Sequence, residues 1–381
     1  MKRTDFSVDW LFAACAPDTE LLPWYAQFTP VDLPHDWQIR HADDLYRDGT
    51  LFYRKYFFVT DVPGIRRMLW FGGAYMDTTV FVNGTEVGQW KYGYTSFWFD
   101  ITDALHEGQN EVLVRCNLRH PNSRWYSGAG LYRNVELWEA PDLHLMPDGL
   151  YVAAKEGDNG AWTVAVTAEA GSVTAASTGR TLTLHLTDDN GSLLGTAAIP
   201  ADAWAALPSP DGWRTGKETA IYKASHTFTL QDPALWDLDA PSFYHITAEL
   251  TGADGVTDTL TTRFGCRTIE ATPDCGLLVN HKRVLIKGVC IHHDFGCLGS
   301  AFEYSAAKRQ LEILKSMGVN SIRTGHTPPA PQFMDLADEM GILMDVESFD
   351  CWRRGKNPYD YGRFFDEWQE KDVAAWIRRD R

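Results

Sequence analysis

Along the first third of the chain, apolar and polar positions alternate with a period of two. Between about Leu51 and Trp138 the runs are short, aromatic and β-branched: FYRKYFFV, MLWFGGAYMDTTVFV, EVGQW, NEVLVRCNL and YRNVELW. Such alternation puts one face of each strand against a core. Asn83-Gly84 falls between two of these runs, and Asn-Gly readily adopts the positive φ that a two-residue hairpin turn requires. The segment predicts an all-β sandwich of jelly-roll type. From about Leu143 to Arg267 the alternation continues in a composition rich in Thr, Ala and Ser, as in WTVAVTAEA, RTLTLHLTDDNGSLLG and YHITAELTGADGVTDTLTTRFG. With a hairpin turn at Asn190-Gly191 and a joint at Pro141-Asp142, it predicts a second, smaller sandwich of immunoglobulin-like size.

Beyond about Ile269 the period changes. Arg283–Ile291 reads as a buried strand. Ala307, Leu311, Leu314 and Met317 follow at helical spacing, closed by Gly318. Val319–Thr324 reads as a second strand. The next helix starts at Pro329-Ala330-Pro331 and carries Phe333, Leu336, Ala337 and Met340 on one face before Gly341. Ile342–Val346 reads as a third strand, and Asp366–Arg379 as a helix with acids in its first turn and arginines in its last. Repeated strand–helix units predict a parallel sheet, here the first three or so units of a TIM (β/α)8 barrel. The expected organisation is residues 1–141 as a jelly-roll domain, 142–268 as an immunoglobulin-like sandwich and 269–381 as the opening part of a barrel.

Composition narrows the function classes. A chain of 381 residues with 44% hydrophobic and 23% charged residues is globular and large enough for several cores. Its 15 Trp, 15 Tyr and 19 Phe serve sandwich cores or sugar-stacking surfaces. A formal net charge of −16 without a Lys/Arg-rich stripe argues against nucleic acid and anionic membranes as partners. The seven cysteines include no Cys-x-x-Cys pair, which suits reduced thiols in a cytoplasmic protein. Asp5 and Asp9 interrupt the apolar start, leaving Trp10–Ala14, shorter than the ~7–15 residues of a signal h-region. No run approaches the ~18 apolar residues of a membrane span.

In such barrels ligands bind at the C-terminal ends of the strands. The first predicted strand ends in His292-His293-Asp294, the second in Arg323 with His326 close by, and the third in Glu347 followed by Asp350 and Trp352. Each group also has a plainer reading: a solvated loop for the histidines, an Arg323–Asp345 pair, an ordinary ion-pair partner for Glu347. Three polar groups on three successive strand ends can surround one ligand.

These strings resemble glycoside hydrolase family 2. KGVCIHHDFG (Lys287–Gly296), SIRTGHTPPAPQFMDLADEMGIL (Ser321–Leu343) and ESFDCW (Glu347–Trp352) resemble the opening of that family's barrel. VDLPHDW (Val31–Trp37), FVNG (Phe81–Gly84) and PNSRWYSGAGLYRNVEL (Pro121–Leu137) resemble its N-terminal sugar-binding domain. The resemblance implies a retaining glycosidase that cleaves terminal β-D-galactosides, with β-glucuronides or β-mannosides as alternatives. It places His292, Arg323 and His326 around the sugar to be cleaved, where hydrogen bonds strengthen as the ring flattens. It further implies that Glu347, Asp350 and Trp352 shape the same pocket and that Asn122 and Arg124 lie on a loop sent over the barrel mouth from the first domain. Cys290, Gly325 and Val346 depart from the family's usual asparagine, serine and aspartate, and Cys351 stands where a magnesium ligand of a well-known β-galactosidase would be. No metal and no organic cofactor are expected, and association into homo-oligomers is left open.

Retaining hydrolysis needs two carboxyl groups ~5–5.5 Å apart. The resemblance assigns them to the fourth and seventh barrel strands, beyond the three predicted here. Asn110-Glu111 matches the acid/base dipeptide only in letters, because it sits in a sandwich strand. The 381 residues alone are therefore expected to bind sugar weakly and hydrolyse nothing. Two readings of another class are a non-catalytic carbohydrate-binding protein and a fragment that needs a partner chain to complete the barrel.

Overall fold

The computed structural model describes the chain apart from residues 42, 61–63, 175–178, 208–215 and 253–254 and the side chain of Val256. The last two residues fall inside the run YHITAELTGADGVTDTLTTRFG, whose tip therefore lies outside the described residues.

Two antiparallel sheets form the first sandwich. One has six strands, in the order Thr29–Val31, Trp10–Cys15, Gly49–Val59, Gly108–Leu118, Thr78–Val82 and Thr85–Trp90. The other has four: Lys2–Asp5, Val135–Pro141, Ile65–Phe71 and Phe97–Asp100. In Gly108–Leu118, Val112, Val114, Cys116 and Leu118 are buried and alternate with less buried positions, as the period of two requires. They pack with Trp10, Leu51, Tyr53, Leu69, Phe71, Val80 and Val82 in one core. Asn83 and Gly84 both adopt positive φ, 49° and 78°, in the hairpin that links Thr78–Val82 to Thr85–Trp90.

The second sandwich also has two four-stranded sheets, one containing His144–Glu156, Ala161–Ser172, Ala220–Gln231 and Ala205–Leu207, the other Leu193–Pro200, Thr181–Asp188, Tyr244–Gly252 and Gly255–Phe264. Val164, Val166, Leu182, Leu184, Leu186, Ile246, Ala248 and Leu250 fill the space between them. At Asn190-Gly191 the Asp188 carboxylate accepts the N–H groups of Asn190 and Ser192 at 3.0 and 2.8 Å, closing the turn through a side chain.

A parallel sheet follows: β1 (Gly288–Ile291), β2 (Ser321–Thr324) and β3 (Leu343–Asp345), joined by helices α1 (Tyr304–Ser316) and α2 (Pro331–Glu339). A third helix, α3 (Phe365–Asp380), comes after β3. Two local expectations are corrected. The strand expected over Arg283–Ile291 is split: Lys282–Arg283 pairs with Gly276–Val279 in a separate three-stranded sheet, and the Val284 N–H still donates to the Leu277 carbonyl. The chain reaches the parallel sheet only at Gly288, leaving Leu285 and Ile286 exposed. On α1, Ala307 and Leu311 are buried, but Met317 is 72% exposed. It is the C-cap, three residues beyond Leu314, which still packs against the core. On α2, Phe333, Leu336 and Ala337 are buried as expected.

Candidate active site

The ends of β1, β2 and β3 open into a cleft of about 240 Å³ shared with the first sandwich. The barrel side contributes His292, His293, Gly325, His326, Thr327, Asp350, Cys351 and Tyr361; the sandwich contributes Tyr75, Met76, Tyr92, Tyr94 and the loop Asn122–Trp125. The loop is held down by the buried Asp36. One oxygen of its carboxylate accepts the N–H groups of Gln38 and Ala129 at 3.0 and 3.1 Å. The other accepts from Tyr126 Oη at 2.6 Å and from the Ser300 N–H and hydroxyl at 2.8 and 3.0 Å. Ser300 follows β1, so one carboxylate ties the sandwich loop to the barrel.

Parallel register sets Arg323 opposite Cys290 and Asp345 in the sheet. Its side chain nonetheless pairs with Glu347 rather than Asp345. His326 Nδ1 lies 2.7 Å from Glu347 Oε2, and because a carboxylate only accepts, Nδ1 carries the proton there. Arg323 also donates to Cys290 Sγ at 3.3 Å, and the Glu347 N–H donates to Thr324 Oγ1 at 3.0 Å. Three residues from two strand ends thus form one fixed polar unit.

Beside it, the His292 ring stacks on Trp125, with centroids 4.1 Å apart and planes 9° apart, and meets His326 edge-on at 5.6 Å. Burial, and then the neighbouring His326, push the His292 imidazole below its ordinary value. His293 faces the other way and donates from Nε2 to the Ser127 carbonyl at 3.1 Å. Its burial holds it down to about 4. Asn122 is 4% exposed, and its amide nitrogen meets no hydrogen-bond partner among the described residues. A buried donor left unpaired is unfavourable unless a ligand or water accepts from it.

Arg124 reaches Asp350 at 3.1 Å, and Lys356 shares the same carboxylate oxygen at 3.0 Å. Burial works to raise the Asp350 carboxyl, but the bonds from Lys356 and Arg124 outweigh it and leave it below its ordinary value. Trp352 is not part of the lining: it is 57% exposed and rests on Phe349 and Phe365 at 5.5 and 5.7 Å. Of the residues singled out from sequence, Asn122, Arg124, His292, His326 and Asp350 line the cleft, and Arg323 and Glu347 adjoin it through His326. His293, read with His292 at the first strand end, lines it too, as do Tyr75, Tyr92, Tyr94 and Tyr361, which were not singled out. The sequence signal of Tyr75, Tyr92 and Tyr94 is the aromatic spacing in GGAYMD and KYGYTSFW, which reads equally well as sandwich core. Among the described residues no three His, Cys, Asp or Glu side chains converge to hold a metal ion.

Comparison with known proteins bears on the family. The description "Glycosyl hydrolases family 2" matches residues 148–267, and "Glycosyl hydrolases family 2, TIM barrel domain" matches residues 271–368. A β-galactosidase of Bacteroides ovatus is 36% identical over all of this chain and 45% of its own length. A protein named putative β-glucuronidase from Formosa agariphila is 32% identical over 92% of this chain and 33% of its own length. The crystal structure of a glycosyl hydrolase family 2 member from Bacteroides cellulosilyticus superposes with a TM-score of 0.89 at 29% identity, covering 100% of this chain and 50% of that one. The chain thus spans about half or less of the length of these relatives. Two family matches in sequence order, on a fold of two sandwiches followed by a parallel strand–helix sheet, lead to one conclusion: this chain belongs to glycoside hydrolase family 2.

Proposed function

We propose that the chain forms the sugar-holding part of a retaining glycosidase for terminal β-D-galactosides. The observation that carries the reading is the convergence of His292, His326 and the buried, unpartnered Asn122 amide on one cleft, with Arg323 and Glu347 fixing His326. A neutral sugar offers hydroxyls that both donate and accept, which suits imidazoles and an amide. Galactoside is preferred to glucuronide on charge. Arg124 is the one Arg or Lys lining the cleft among the described residues, and it is already paired with Asp350. A sugar carboxylate would have to displace that pair or stay without a cation, and an uncompensated buried charge is strongly unfavourable. Glu347 and Asp350, each bound to cations, position rather than react in this reading, and hydrolysis would run through two carboxyl groups on later barrel strands.

The test is an assay with chromogenic β-galactoside and β-glucuronide, using the 381-residue chain alone and with a polypeptide that supplies further barrel strands. Galactoside turnover confined to the supplemented sample, and lowered at least tenfold by Asn122→Ala, is the expected result. Faster glucuronide turnover would overturn the sugar assignment. Turnover by the chain alone would overturn the assignment of both carboxyl groups to later strands.

A further inference from the structure

His292 is poorly held for a group expected to meet a sugar. Apart from the Gly325 backbone, no described group hydrogen-bonds its ring, and His326 touches only its edge. What fixes the plane of the ring is the indole of Trp125, parallel to within 9° at 4.1 Å. Trp125 in turn is fixed twice. Its Nε1–H donates to Asp294 Oδ1 at 2.7 Å, and its backbone N–H donates to Ser123 Oγ at 3.1 Å. Asp294 lies two residues after His292 on the same loop, so the indole spans that loop, stacking on one residue and hydrogen-bonding the other. One residue further on, Tyr126 is anchored to Asp36, which anchors Ser300 of the barrel as well. The sandwich loop therefore cannot slide along the barrel mouth without breaking one of these contacts.

We infer that Trp125 is a positioning residue: pinned by Asp294, it clamps the His292 ring at the angle at which its nitrogens meet the sugar. The inference rests on the sugar-binding reading of the cleft for its purpose, but the clamp itself is read without any ligand. A parallel indole 4.1 Å from an imidazole shields the ring's carbon-bound protons, a signature that an indole not stacked on His292 would not give. It also leaves the outer part of the indole in solvent, consistent with Trp125 being 49% exposed.

The experiment uses the full chain with isotope-labelled histidine, comparing wild type, Trp125→Phe, Trp125→Ala and Asp294→Ala by NMR. The His292 ring protons are expected upfield in wild type, still shifted but less so in Trp125→Phe, and near their unstacked positions in Trp125→Ala and Asp294→Ala. The signals of His35 and His144, buried in the two sandwiches, should stay in place and report an intact fold. His292 signals that do not move in Trp125→Ala would overturn the clamp. Isopropyl β-thiogalactoside is then titrated in. Perturbation of His292 in wild type and Trp125→Phe, with at least tenfold weaker apparent affinity in Trp125→Ala, supports the positioning role. Equal affinity in all variants overturns it. Absence of any His292 response in wild type, with the shielding intact, rejects the sugar-binding reading and with it the role, while leaving the contact standing.

Discussion

Among the described residues, buried His35 meets the Tyr53 hydroxyl at 2.8 Å, and half-buried His293 meets the Ser127 carbonyl at 3.1 Å. Burial holds both down to about 4, below the ordinary 6.5. The unfolded chain takes up a proton below 6.5 that the folded chain refuses until about 4. The favourable term is therefore complete above 6.5 and is lost as pH falls through that window, on the order of 3 kcal/mol per group. Urea midpoints at pH 7 and pH 4.5 should differ more for wild type than for His35→Gln; equal differences would reject the assignment for His35. The same residue scale shows where sequence reading works and where it stops. Arg323, His326 and Glu347 are legible because strand ends of a parallel sheet converge by geometry alone. Tyr75, Tyr92, Tyr94 and Tyr361 are not, because an aromatic at a strand end looks like core until another domain is laid against it.

At the scale of elements, boundaries follow hydrogen-bond partners rather than apolar runs. RVLIKGVCI is one apolar run in sequence but serves two sheets, because Lys282–Arg283 finds a partner in the preceding hairpin before the parallel sheet begins. No local pattern records that competition. Helix ends were legible: Gly318 and Gly341 follow α1 and α2 with φ of 85° and 64°. Gly341 is also a contact point, since a Cβ there would lie 2.1 Å from the carbonyl oxygen of Leu238, in the second sandwich's loop between Ala220–Gln231 and Tyr244–Gly252. Gly341→Ala combines a strained backbone with a backbone clash. It should destabilise the chain by about 2–4 kcal/mol in denaturant titration. Gly318→Ala, with open space around it, should lose less. Equal losses would show that only the dihedral matters.

For the whole molecule, α3 joins the domains. Trp368 meets Trp90 of the first sandwich at 5.5 Å, and Arg378 pairs with Glu169 of the second at 2.6 Å. Buried Asp372 accepts from Thr95 at 3.0 Å and from Tyr361, whose ring lines the cleft. Asp372→Ala would strand two buried hydroxyls on opposite sides of the junction. A loss on the order of 3 kcal/mol in thermal or urea unfolding is expected. Tyr361 fluorescence or proteolytic accessibility near residue 361 should change with it, and a variant as stable as wild type would show that α3 docks by apolar contact alone. None of this docking has a local signature in sequence, although the order of two sandwiches and a parallel sheet does. The cleft walls come from residues near 75–94, 122–125, 292–293, 325–327 and 350–361, stretches that meet only after the sandwich and the barrel segment have closed on each other. Occupancy of the cleft is thus a coincidence signal, registered only by chains that have completed both folding and docking. A ligand present at a hundredfold excess over its Kd would favour that state by about 2.7 kcal/mol, making any occupant of the cleft a folding chaperone for the chain that holds it.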